Sequence, residues 1–149
     1  MLNNIGDNMK KILIIIILFF TSGCNFSNDI EVVCTKSNTV SGFTHSKKIT
    51  LIFSENIIKN VTFVENYIST SNTNYDTIKS AKESFEGFIK NYKDIKTFNE
   101  IKKLDEQQEY YYEYSFDFTN MDNDDIKKIN MVREYNKQIL KLKEEMICE

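Results

Sequence analysis

Along Glu109–Thr119 the chain alternates with period two. Tyr110, Tyr112, Tyr114, Phe116 and Phe118 fall on one face, and Glu109, Glu113, Ser115 and Asp117 on the other. Alternate side chains of a strand point to opposite sides, so this segment predicts an interior strand with one wet face. The same alternation recurs earlier. Ile30–Lys36 places Ile30, Val32 and Cys34 together. In Phe43–Ser54, Ile49, Leu51 and Phe53 alternate with Thr50, Ile52 and Ser54. Further on, Val61, Phe63 and Tyr67 alternate with Thr62, Val64 and Asn66. Ser37–Gly42 and Glu55-Asn56 read as turns between these runs, which predicts an antiparallel meander.

After the polar, aperiodic loop Ser69–Asn74 the period changes to that of a helix. Ile78, Ala81, Phe85, Phe88, Ile89 and Tyr92 lay an apolar stripe along one side, with Asp76 placed to cap the first turn. Gly87 weakens such a helix by about 1 kcal/mol relative to Ala, and reads as a point of close approach to the sheet. Lys96–Leu104 carries a spacing of three (Phe98, Ile101, Leu104) that fits a helix, yet it precedes the strongest strand; we read it as a strand, with a turn at Asp105–Gln108. Asn120–Asp125 breaks the pattern. Tyr135, Ile139, Leu142 and Met146 then mark a terminal amphipathic helix, while Ile126–Ile129 fits either that helix or a separate turn. The expectation is a single α+β domain over residues 30–149. Its antiparallel sheet has about five strands in the order ββ-β-α-β-β-α, with two main helices on one face.

Ahead of this domain, Met9–Cys24 has a different pattern: two lysines, the unbroken apolar run Ile12–Phe20, then small residues ending on a cysteine. That is the layout of a secretory signal. The run is shorter than the roughly 20 residues a membrane-spanning helix needs. Thr21-Ser22-Gly23-Cys24 resembles the bacterial lipobox, with Thr21 where an aliphatic residue is usual. The resemblance implies a signal peptide over residues 1–23, lipidation of Cys24 as the mature N-terminus, and a tether over residues 24–29. Met9 makes the better start, since Met1–Asn8 sets Asp7 ahead of the lysines. Two or more acyl chains anchor stably where one is marginal, so the expected location is the extracytoplasmic face of the cell membrane.

Charge narrows the partners. The net charge of −3 becomes about −4 once the leader is removed, which is unlike the basic footprint of a nucleic-acid binder. With Cys24 lipidated, Cys34 and Cys148 remain, near the two ends of the domain. An exported protein meets conditions in which disulfides persist. The pair is either a bond tying the first strand to the last helix or two separate, partly buried thiols. Closing a loop of about 115 residues is worth up to about 5 kcal/mol in the chain-entropy model, and we expect the bond.

Candidate chemistry is sparse. The aromatic face Tyr110–Phe118 can be a stacking platform for a sugar or base, but reads better as core, its phenol hydroxyls meeting water or backbone. Asp122–Asp125 lacks the Gly and Glu of a calcium loop, offering Lys127 and Arg133 instead; a helix start favoured by the dipole explains it. His45 is the only histidine, too few for a zinc site, and no G-x-S-x-G elbow supports it as a catalytic base. No phosphate-binding glycine loop occurs. We therefore expect no enzyme, no cofactor and no metal.

The element order, a first strand with VVCT, the strand–turn–strand ITLIFSENIIKNVTF and the end KLKEEMICE make the chain similar to the YehR-like lipoproteins, a family with a domain of unknown function. The resemblance implies the same α+β fold and the Cys34–Cys148 disulfide, with Met146-Ile147 where relatives often carry Gly-aromatic. It implies no activity. The expected role is a non-catalytic binding module at the cell envelope, its partner an envelope protein or ligand. Alternatives are an envelope enzyme or stress factor acting on a cell-wall ligand, and a phage- or plasmid-borne exclusion lipoprotein. A concave pocket with converging acids or His45 favours catalysis, and a flat polar surface favours a protein partner.

Overall fold

The structure, a computed structural model, describes residues 29–70 and 75–149. The signal peptide, Cys24 and most of the tether lie outside the described residues, as do positions 71–74 of the loop expected at Ser69–Asn74. Six strands form one antiparallel sheet: β1 (Ile30–Val40), β2 (Phe43–Ser54), β3 (Ile57–Ser69), β4 (Phe98–Asp105), β5 (Glu109–Asp117) and the two-residue β6 (Ile147–Cys148). Their order across the sheet is β4-β5-β3-β2-β1-β6. Among the described residues three helices accompany them: α1 (Tyr75–Lys90), α2 (Asn123–Lys128) and α3 (Tyr135–Lys143). The fold is α+β, close to the architecture expected.

Two tight hairpins build the first three strands. Ser41-Gly42 and Glu55-Asn56 all have positive φ, between 50° and 78°. A two-residue loop with left-handed residues matches the twist of the strands it joins. The first turn is accordingly shorter than Ser37–Gly42, and β1 runs four residues further, pairing Val40 with Phe43. The second falls where expected, pairing Ser54 with Ile57. A register shift then follows: Ile52 faces Asn60 but Phe53 faces Ile58, leaving Lys59 as the extra residue of a bulge. The bulge resets the alternation, so that Ile58 and Val61 both enter the core.

Beyond it β3 buries Val61, Phe63, Glu65 and Tyr67 in strict alternation, and β5 buries Tyr110, Tyr112, Tyr114 and Phe116, with Phe118 following. These rings interlock with α1: Phe85 lies 5.5 Å from Tyr112 and 6.1 Å from Tyr110, centroid to centroid. Edge and tilted geometries such as these suit the ring quadrupoles. The aromatic face is core. Two of its hydroxyls reach carboxylates: Tyr112 donates to Glu100, and Tyr110 to Glu86 at 3.5 Å.

The helices depart from expectation in detail. Tyr75 opens α1, so Asp76 sits within its first turn rather than capping it. Gly87 marks no close approach, because a Cβ there would have nothing within 4 Å. Ile126 belongs to the separate short helix α2, whose N-cap Asp122 accepts from the amides of Asp124 and Asp125 at 2.9 and 2.8 Å. Asn130, at φ 56°, turns the chain towards α3. Lys96–Leu104 does contain a strand, edge strand β4. The chain end leaves α3 to form β6, so Cys148 sits on a strand paired with β1 and not on the last helix.

Candidate functional site

All three helices lie over the same face of the sheet, but they do not meet above its middle. α1 covers Tyr67 and the β5 tyrosines at one side. α3 covers the other side, where Tyr135 sets its ring edge-on to Phe53 at 4.7 Å. Between them runs a cleft of about 550 Å³, within the usual range for small-molecule sites, about 300–1,000 Å³.

Its floor is the apolar face of three strands: Ile49 of β2, Phe63 of β3 and Tyr114 of β5. One wall is Phe88 and Tyr92, the end of the α1 stripe. Phe88 is half exposed although it belongs to that stripe, and its ring stands edge-on to Tyr92 at 4.7 Å. The opposite wall is Ile129, Met131, Gln138, Lys141, Leu142 and Met146. Around the mouth stand Lys36, His45, Lys47 and Lys128, together with Glu144 and Glu145.

Two polar groups in this region are unusual. Glu65 is 5 % exposed, a carboxylate on the apolar face of β3. Its Oε2 accepts from His45 Nε2 at 2.6 Å and its Oε1 lies 3.3 Å from Lys47 Nζ, so a partly exposed imidazole and a partly exposed ammonium close over a buried carboxylate. The His45 ring also stacks on Tyr67, centroids 4.4 Å apart. Burial, and then the charge of Glu65, push the Tyr67 phenol well above its usual range.

Gln138 is the second. It is fully buried on α3. Its Oε1 accepts from the Val132 amide at 2.8 Å, which fixes the orientation of the side-chain amide. The other end, Nε2, is buried with no hydrogen-bond partner among the described residues. A buried donor left unmade costs about 1–3 kcal/mol, so such a group calls for an explanation.

Neither Glu65 nor Gln138 is among the residues singled out from sequence. Glu65 could have been found as the carboxylate that interrupts Val61, Phe63 and Tyr67. Gln138 stands three residues after Tyr135 on the buried side of α3, a weaker signal. Of the residues that were singled out, His45 comes to the cleft mouth, while Asp122–Asp125 caps and opens α2. Cys34 and Cys148 lie opposite one another in the β1–β6 pair, joined by a disulfide. Among the described residues no group of three or more His, Cys, Asp or Glu is placed to hold a metal ion. Also among them, no helix is long and apolar enough to cross a membrane.

No family model and no curated protein matches the chain. Its fold is similar to the NMR structure of a protein from Streptococcus pneumoniae TIGR4, with a TM-score of 0.54 and 15% identity over 85% of this chain and 88% of that one. The likeness extends over most of both chains and speaks to the fold alone.

Proposed function

We propose that the chain is a bacterial lipoprotein, anchored through Cys24 on the outer side of the cell membrane, whose domain is a non-catalytic ligand-binding module. The YehR-like resemblance is part of this reading. The compartment rests on the leader Met9–Cys24, and a Cys34–Cys148 disulfide suits an exported protein. Binding rests on one observation above all: a cleft of about 550 Å³ opens between α1 and α3 over an apolar floor of Ile49, Phe63 and Tyr114. Replacing Cys24 with Ala should abolish incorporation of radiolabelled palmitate and leave precursor in the membrane. Undiminished labelling would refute the anchor.

The second reading, an envelope enzyme acting on a cell-wall ligand, draws on the His45–Glu65 pair at the mouth of a concave site. An imidazole oriented by a buried carboxylate is the arrangement of a general base. Two features weigh towards binding. Glu65 already occupies Nε2 of His45, and no serine, threonine or cysteine lines the cleft among the described residues. Release of soluble fragments from purified cell wall by the native protein, lost in His45→Gln, would reverse this preference.

A further inference from the structure

What the cleft takes, granted that it is the binding site proposed above, follows from its charges and from the ring it leaves open. Lys36 pairs with Glu145 at 3.7 Å, Lys47 with Glu65 at 3.3 Å, and Lys128 with Asp125 at 2.6 Å. Lys141 is held by the backbone and side-chain oxygens of Asn130, at 2.8 and 2.5 Å. Glu144, three residues further along and also at the cleft, brings the opposite charge. Each of these ammonium groups thus has a carboxylate to match it, and the balance favours a ligand of neither sign. An anion would meet Glu144 and Glu145, and a cation the lysines, so like charges stand against both.

Phe88 stands apart from the other rings. It is 49 % exposed, whereas Phe63 is 6 % and Tyr114 2 % exposed, so the floor is nearly closed and the accessible aromatic surface belongs to α1. Tyr92 packs against that ring at 4.7 Å and holds it in place. Around it the cleft offers donors and acceptors together: the amides of Asn38 and Asn130, the lysines and the two glutamates. A hydrocarbon laid on Phe88 would take water from these groups and return no hydrogen bond. A sugar hydroxyl donates and accepts, so it can answer ammonium, amide and carboxylate alike. A pyranose also presents a face of C–H bonds, slightly positive, to the negative face of an aromatic ring. We propose that the cleft binds an uncharged carbohydrate, one sugar ring stacked on Phe88 and its hydroxyls shared among the polar groups of the mouth. The stacking surface is then on α1, and not on the β5 tyrosines, which are core.

The probe is tri-N-acetylchitotriose, an uncharged trisaccharide. It is set against trigalacturonate, which adds carboxylates, and 4-phenylbutanamide, which is uncharged and has no hydroxyls. Each is titrated into the full-length isotope-labelled protein, in micelles of a detergent without a sugar headgroup, with the Leu142 and Met146 methyl resonances observed by NMR. Tri-N-acetylchitotriose should shift them saturably and bind at least about tenfold more tightly than either competitor. Phe88→Ala, at a half-exposed position, should keep the native spectrum and lose at least about tenfold in affinity, while Phe88→Trp, which retains a stacking face, should keep binding. Equal affinity in Phe88→Ala, or equal binding of trigalacturonate, would overturn the proposal. If 4-phenylbutanamide shifts the methyls and the trisaccharide does not, the cleft is a ligand site but the carbohydrate class is wrong. If none of the three shifts them in a folded protein, the binding reading of the cleft falls as well.

Discussion

Nε2 of His45 lies 2.6 Å from Oε2 of Glu65, joining a side chain at the surface to one buried on the apolar side of the sheet. The two stand on neighbouring strands, β2 and β3, and Lys47 reaches the other carboxylate oxygen. Glu65 is the buried member and its two partners, an imidazole and an ammonium group, are partly exposed, which makes the energetics asymmetric. Removing both partners strands a largely buried carboxylate, at a cost of about 3–5 kcal/mol, whereas replacing a buried charge with an apolar group of similar volume is often neutral. The double variant His45→Ala, Lys47→Ala should therefore destabilise by several kcal/mol, and Glu65→Met by about 1 kcal/mol or less. Chemical denaturation of both variants tests the order. If Glu65→Met proves the more damaging, the carboxylate is an essential part of the core.

The aromatic wall makes a second, independent prediction. Tyr112 is 1 % exposed and packs against Phe85 of α1, whereas its neighbour Tyr111 points to the opposite, wetter side of the sheet. Truncating a large buried ring leaves a cavity, so Tyr112→Ala should cost about 3–5 kcal/mol and Tyr111→Ala much less. Equal losses, measured by denaturant midpoints, would mean that the two faces are not differently buried.

This contrast between faces is also what made the fold readable from sequence. Where one side of a strand is dry and the other wet, the pattern has to alternate, and β5 and the middle of β2 and β3 announced themselves. The ends were harder. In β1, Lys36–Val40 are exposed on both faces, so no alternation separates them from a turn; two left-handed residues at Ser41-Gly42 stop the strand instead. β6 has only two residues and exists through its pairing with Cys34 and Thr35, a contact far along the chain that no local pattern encodes. The cleft was hidden for a related reason. Its floor and walls come from five separate elements, and Phe88, Ile129 and Leu142 read as ordinary core positions. That the helices leave a gap above Phe63 depends on how they sit on the sheet.

β6 has its own consequence. Glu149 and Val33 exchange backbone hydrogen bonds at 2.9 Å, and beside them the disulfide joins Cys34 to Cys148 across a sequence separation of 114. Closing so long a loop removes much freedom from the unfolded chain, up to about 5 kcal/mol in the entropic model. The oxidised protein should migrate faster than the reduced one on a denaturing gel, and should titrate no free thiol at positions 34 and 148. Reduction should lower the denaturant midpoint without abolishing the β2–β3–β5 core. An unchanged midpoint would mean that the bond constrains nothing the unfolded chain had not already lost.

Alkali should expose the tyrosine cluster in a defined order. Burial first, then the hydrogen bond to Glu113 and its charge, push the Tyr111 phenol up to about 12 from an ordinary 10.0. Tyr110, Tyr112 and Tyr114 are pushed higher, again chiefly by burial, with carboxylates or neighbouring phenols adding to it. In each case the folded state favours the neutral phenol, so it binds more protons than the unfolded chain at alkaline pH. Stability from this source is complete below about pH 10 and declines as the pH rises past it. Phenolate absorbance in the folded protein should therefore lag well behind that of the denatured chain, then rise abruptly as the sheet and α1 come apart near or above pH 12. Because ionised rings cannot stay against Phe85, absorbance and loss of secondary structure should change together. If the phenols ionise at their ordinary pH while circular dichroism remains native, the β5 tyrosines are in water, and the core described for this face does not exist.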